Sequence, residues 1–249
     1  MIRSAILSDI KKAASPPRLA ALALGAAALL AGTGCDNAAG ETYPPIRYRL
    51  TAEVQTPQGV RTGSSVIEVQ WSTPPKALGT QGTASYRVKG EAVAVDLPEG
   101  QTLFVLLKSP IMGDWAARAL EGTGILAENV SARGADPSPR QVPRTRELPS
   151  ETVDNFPYFV RFRDIRTPGT VERVDPDNLA SSFGKGTSLK ALTVQITQEP
   201  VTVGIKRRLP WADQYRKLHL DGTSSVVENM TAKNLSAHLT PGSFSTEIA

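Results

Sequence analysis

Residues 46–71 read IRYRLTAEVQTPQGVRTGSSVIEVQW, and the first half of the stretch alternates without a break. Ile46, Tyr48, Leu50, Ala52 and Val54 fall on one side, and Arg47, Arg49, Thr51, Glu53 and Gln55 on the other. A period of two is a strand with one buried face. TPQG at 56–59 then places Pro at the first corner of a turn. The return through SSVIEVQW puts Ile67, Val69 and Trp71 on one face. The stretch therefore predicts a β-hairpin.

The pattern continues downstream. ASYRVKG at 84–90 alternates Ala84, Tyr86 and Val88 with polar residues, and EAVAVDL at 91–97 sets Val93, Val95 and Leu97 on one side. PEG at 98–100 is a turn. TLFVLL from Thr102 is apolar on both faces, which predicts a central strand. Asp114 is a plausible cap for a short helix in WAARALEG, closed by Gly122. The stretch 131–151 carries Pro137, Pro139, Pro143 and Pro149 among Arg133, Arg140, Arg144 and Arg146, a composition expected to be irregular. Solvated loop arginines explain it; a contact site for anionic headgroups or an acidic partner is the sharper reading. Tyr158, Val160 and Phe162 resume the alternation, RTPGT turns, and VERV returns. Asp175 as cap, Pro176 in the first helical position and Gly184 as stop predict a second short helix. Leu192, Val194 and Ile196 predict another strand, which VTVGI at 201–205 is placed to extend past Pro200. Trp211, Tyr215 and Leu218 stand at helical spacing. Residues 223–249 form a weakly patterned Ser-, Thr- and Asn-rich tail in which Val226, Leu235, Leu239 and Phe244 are the candidates for a final element. The expected fold is mostly β, an antiparallel sandwich or strongly bent sheet over residues 46–222 with two or three short helices.

Upstream of the hairpin the chain is of another kind. Arg3, Lys11, Lys12 and Arg18 form a basic start, offset by Asp9, and Leu19–Leu30 is uninterrupted Leu, Ala and Gly. That run is short for a hydrocarbon core of about 30 Å. A basic start, a short apolar run and small residues after it read as a signal peptide over 1–34. An uncleaved membrane anchor or a buried Ala-rich helix is the plainer alternative. The chain's single cysteine, Cys35, follows Gly32, Thr33 and Gly34. This resembles the lipobox of bacterial lipoproteins, whose cysteine is acylated and becomes the first mature residue. The sequence departs from that pattern in having Gly32 where leucine is usual, the nearest leucine being Leu30. The resemblance makes Cys35 the lipid-attachment site and the membrane the first partner, with 36–45 as a polar tether ending in Pro44 and Pro45. Ordinary cleavage near Gly34, leaving a spare thiol, is the alternative. Asp36 resembles the inner-membrane retention signal of enteric bacteria, so the expected location is the periplasmic face of the inner membrane. The outer membrane, or the soluble periplasm without acylation, are the alternatives.

Export changes the charge balance. Of the chain's formal +4, all but one unit belongs to the leader. Near-neutral balance lacks the dense basic face that nucleic acid requires. With one cysteine, neither an internal disulfide nor a thiolate cluster can form.

Sites for chemistry are few. The chain has two histidines, His219 and His238, and LHLDG sets Asp221 two residues after His219. A Ser-His-Asp site needs a hydroxyl on one imidazole nitrogen and a carboxylate on the other, and no G-x-S-x-G turn is present. TGSS at 62–65 and GTSS at 222–225 read as turn and strand-edge residues. DPDN at 175–178 gathers oxygen ligands without the later Glu a calcium loop uses. GKGTS at 184–188 reads as a Gly-rich turn, because it precedes a strand where a P-loop needs a helix. No catalytic residue, metal site or cofactor is assigned.

RLTAEVQTPQGVRTGSSVIEV (49–69), GEAVAVDLPEGQTLFVLL (90–107), VDPDNLASSFGKGTSLKALTVQIT (174–197) and RLPW (208–211) resemble segments of an uncharacterised family of exported, lipoprotein-like proteins of Gram-negative bacteria, chiefly alphaproteobacteria. The similarity spans most of 46–212. It implies one continuous domain in the cell envelope, with no assigned activity and no site residues. The expected function is a lipid-anchored binding or interaction module with an envelope protein as its unknown partner, surface aromatics such as Trp71 or Trp115 marking its contact patch. A structural or assembly accessory is the alternative, and a hydrolase built on scattered residues around His219 comes third.

Overall fold

The alternating hairpin is the axis of the fold. β1 (Ile46–Thr56) and β2 (Gly59–Ser72) pair antiparallel from Ile46↔Val69 to Thr56↔Gly59, so the connection is the two-residue turn Pro57–Gln58. The Thr56 hydroxyl closes that turn, donating to the Gly59 carbonyl at 2.7 Å, and Gly59 supplies the left-handed φ of +106°. Every apolar residue of the β1 alternation is buried: Ile46, Tyr48, Leu50, Ala52 and Val54. The computed structural model describes residues 40–74, 85–111, 113–123, 125, 137–147, 152–224 and 235–248. Cys35 and the leader, Ala84, Arg133 and Val226 lie outside them.

Three further strands complete the first sheet. β3 (Ser85–Lys89) pairs with β2, β11 (Ser188–Ile196) pairs with β1, and the two-residue β6 (Arg140–Gln141) pairs with β11, giving the order β3-β2-β1-β11-β6. The second sheet runs β10 (Val171–Arg173), β9 (Phe159–Phe162), β5 (Thr102–Val105), β4 (Val93–Asp96), with every pair antiparallel. A small ribbon of β7 (Thr145–Glu147) and β8 (Thr152–Asp154) stands apart. The helices are single turns: α1 (Trp115–Arg118), α2 (Ala180–Phe183) and α3 (Leu235–His238). Among the described residues the fold is thus mostly β, two antiparallel sheets with three short helices.

Both faces of β5 are buried, and this builds two cores. Leu103 and Val105 join Val93, Val95 and Phe159 against Leu50, Ile67 and Val194 of the first sheet. Phe104 and Leu106 face the other way, into a second core with Val160, Trp211, Leu239 and Phe244. Phe104, Phe162, Trp211 and Phe244 pack there at centroid separations of 5.7 to 5.9 Å. Aromatic packing of this kind adds stabilisation beyond area burial. The segment 235–248 therefore forms part of a third layer: Leu235, Ala237, Leu239, Phe244 and Ile248 are all buried.

Several local expectations are corrected. The Pro/Arg-rich stretch contributes β6 and β7 where irregular chain was expected, because Val142 N donates to the Leu192 carbonyl and holds it along β11. α2 starts at Ala180, not at Pro176: Asp175 Oδ1 accepts from Asp177 N in a local turn, and Asn178 Oδ1 accepts from Ser181 N at the helix start. Gly184, at φ +94°, does end it. VTVGI adds no strand; Thr202 alone bonds across to Val66, before a 3-10 turn over Ile205–Arg208. Residues 211–218 form successive turns in place of a helix, with Trp211 anchored by Nε1 donating to the Ile165 carbonyl at 2.7 Å.

Candidate functional site

The two ends of the hairpin differ. At the end where β2 finishes, Glu41–Tyr43 runs beside Trp71–Thr73: Tyr43 N donates to the Trp71 carbonyl at 2.9 Å and Thr73 N to the Glu41 carbonyl at 2.8 Å. Thr42 and Ser72 bridge, and their hydroxyls meet at 3.2 Å. Residues 41–43 of the stretch expected to be a tether are therefore bound to the body. Trp71 stands opposite Tyr86 in the β2–β3 register, the rings edge to face at 6.4 Å, and Arg118 lies 5.6 Å above the Tyr86 ring. The two aromatics named as a contact patch separate. Trp71 is half-buried at this rim, whereas Trp115 is 1% exposed, its Nε1 donating to the Asn155 carbonyl, and is core. An interior tryptophan with its N–H satisfied has nothing left to present to a partner.

At the opposite end three turns meet. Pro57–Gln58, the Pro98–Gly100 turn and the Gly184–Thr187 turn surround a surface pocket of about 220 Å³, lined by Pro57, Gln58, Glu99, Gln101, Phe183 and Lys185 among others. Glu99 adopts φ +60°, ψ +25°, the one non-glycine residue with positive φ among those described. A side chain held there costs about 1–2 kcal/mol, and such outliers cluster at ligand clamps and active sites. Gly186 turns at φ +86° with Pro57 against it, so the first and third turns touch. Arg161 secures the Phe183 wall: its guanidinium lies 5.7 Å from the ring, bonds the Ser182 carbonyl and pairs with Glu172. The pocket thus offers one aromatic ring, two amides, a carboxylate and an ammonium on turns at one end of the sandwich.

The other residues singled out in the sequence do not assemble into chemistry. Asp221 Oδ1 accepts from Thr223 N at 2.9 Å and Thr223 Oγ1 at 2.8 Å. Burial pushes its carboxyl up, but those hydrogen bonds and the neighbouring His219 outweigh it and leave the pKa below the ordinary carboxylate value. His219 Nδ1 is buried with no hydrogen-bond partner, so neither Asp221 nor a serine hydroxyl is set on it. In DPDN, Asp175 closes its own turn and Asp177 pairs with Arg144 at 3.2 Å. Arg144 also pairs with Asp154 and covers the Phe156 ring at 4.7 Å, so this arginine of the Pro/Arg-rich stretch belongs to local packing. Among the described residues no group of His, Cys, Asp and Glu is arranged to hold a metal, and no helix is long and apolar enough to cross a membrane. Cys35 lies outside the described residues.

Sequence reasoning identified each of the three pocket turns and missed the pocket. What joins them is the sheet pairing, which only the fold supplies. The one local signal was a glutamate at the centre of Pro-Glu-Gly, a place suited to Gly or Asn.

The class of protein this defines is a mostly-β sandwich with a third layer on its second sheet and a turn-built pocket at one end. No family model, curated protein or solved structure matches the chain.

Proposed function

We propose that the chain is a lipid-anchored binding module of a bacterial cell envelope. Its leader is removed, Cys35 is acylated, and the β body stands at the periplasmic face of the inner membrane with its three-turn pocket as the binding site. The observation that carries this reading is the placement of the only cysteine. It closes a basic and apolar leader and lies five residues before Gly40, where the described body begins. Acylation supplies about 0.8 kcal/mol per buried methylene, and more than one chain makes the attachment stable. The pocket supports the binding half of the reading, since it lies on loops at one end of a rigid scaffold and carries a strained glutamate.

The test is Cys35→Ser in the full chain. Wild-type protein is expected to sediment with membranes and to resist a high-salt wash; the variant is expected in the soluble fraction or held as an uncleaved precursor. Equal partition of the two proteins, with the variant at mature size, would remove the lipid anchor from the account.

A further inference from the structure

We infer that the rim formed by Tyr43, Trp71 and Tyr86 is a membrane-facing surface that seats in the phospholipid headgroup layer, and that the pocket at the other end points away from the bilayer. The inference rests on the lipid-anchor reading above and adds an orientation to it.

Chain length sets the geometry. Gly40 lies against Thr73, so closely that a Cβ built on it would meet the Thr73 carbonyl. It is five steps along the chain from Cys35, and a fully extended chain spans at most about 3.3–3.6 Å per residue, or roughly 17 Å in all. An acylated Cys35 sits at the boundary between hydrocarbon and headgroups. The end of β2 is therefore confined to the neighbourhood of the headgroup layer. β2 has 14 residues, and at about 3.3 Å each the Pro57–Gln58 turn lies some 45 Å further along the strand. A body standing on the end of β2 keeps the pocket clear of the lipid, whereas a body lying flat along β2 would not.

Composition at the rim fits the same neighbour. Tyr43, Trp71 and Tyr86 stand in one cross-strand row, because Thr42 pairs with Ser72 and Trp71 with Tyr86. The protein's other tyrosines and tryptophans are Tyr48, Trp115, Tyr158, Trp211 and Tyr215. Tyr48, Trp115 and Trp211 are buried; the other five Tyr and Trp side chains are partly buried, and three of them belong to this row, Trp71 and Tyr86 with one side packed on the main core. Tyr and Trp concentrate at membrane–water interfaces, where an apolar ring and a polar tip are both accommodated. Arg87 is exposed on β3 and Arg118 stacks on Tyr86, which places two guanidinium groups within reach of lipid phosphates. Glu41 is the nearby acid, and Tyr43 Oη donates to it.

The test uses the full mature chain with its native N-terminus, purified from membranes and reconstituted into vesicles of phosphatidylethanolamine and phosphatidylglycerol. With Cys35 blocked by its lipid, one introduced cysteine is the only free thiol, because the chain has no other. Ser85→Cys and Pro44→Cys report the rim; Gln58→Cys and Lys185→Cys report the pocket end. All four positions are exposed, which suits labelling with little disturbance. Each is labelled with a fluorophore and exposed to headgroup-spin-labelled lipid. Quenching at 85 and 44 is expected to exceed that at 58 and 185 several-fold. Equal quenching at all four, or stronger quenching at 58 and 185, overturns the inference. Flotation of the protein with the vesicles is measured alongside. Loss of flotation overturns the lipid-anchor reading and this orientation together, whereas flotation with even quenching overturns the orientation alone.

Discussion

Glu91 is 2% exposed, and both of its carboxylate oxygens are engaged. Oε1 accepts from Gly204 N at 2.8 Å and Oε2 from Ile205 N at 2.9 Å, so one side chain ties the start of β4's approach to the third layer. Burial raises its pKa above the ordinary 4.5; the two backbone hydrogen bonds pull it down without cancelling that rise, and Glu247 nearby raises it further. A raised folded-state value means that the folded protein holds this proton more tightly than the unfolded chain. The stability it contributes is present in full below about pH 4.5 and declines as pH climbs through the folded value. Glu91→Gln cannot accept both backbone donors, and a buried unsatisfied N–H costs about 1–3 kcal/mol. Urea denaturation of the two proteins at a series of pH values is expected to show the variant less stable throughout, with the gap narrowing from pH 4.5 towards 7. A gap that stays constant or widens would contradict the assignment.

At the scale of elements, the sheets are set together by what is missing from β2. A Cβ on Gly63 would meet the Ala94 carbonyl oxygen at 2.2 Å, which real structures do not tolerate, so glycine permits the close approach of β2 to β4. Gly63→Ala must push backbone, and overpacking of this kind costs about 1–3 kcal/mol. Thermal unfolding is expected to move down by several degrees, and an unchanged midpoint would mean that the sheets are not in contact there. The third layer carries a larger share. Phe244, Leu239, Leu235 and Ile248 are buried against the outer face of the second sheet, and full burial of each is worth about 1.5–3 kcal/mol. Their sum rivals the whole stability of a domain of this size. Deleting residues 235–249 is expected to abolish cooperative unfolding and to expose a dye-binding apolar face containing Phe104 and Val160; a soluble, cooperatively folded truncation would refute this. Strands with one wet face, such as β1, were plain from alternation, and the double-sided TLFVLL already implied that something covers both sides of β5. The covering segment was legible only in part: Leu235, Leu239 and Phe244 stood out as candidates for a final element, but not the face they cover. Leu235, Leu239 and Phe244 lie in short turns without a period, so their burial depends on a sheet face formed far away in sequence. Trp115 misled for the same reason, because one tryptophan in a short helix carries no sign of which way it faces.

At the scale of the whole molecule, the account describes a body with two dissimilar ends. The end of β2 holds the chain from Glu41 to Tyr43 and a row of three aromatics, and the turn end holds the pocket and its strained Glu99. The proposed leader and lipid site at Cys35 rest on residue type and spacing alone; the pocket was not legible, because Gln58, Glu99 and Lys185 come from three separated turns. Everything in the proposed function depends on a chain that is exported and begins at Cys35. Mass spectrometry of the protein recovered from cell membranes tests that most directly. The account predicts a polypeptide that starts at Cys35 and carries the mass of acyl groups on that residue. A chain still starting at Met1, or one with Cys35 unmodified, would contradict it.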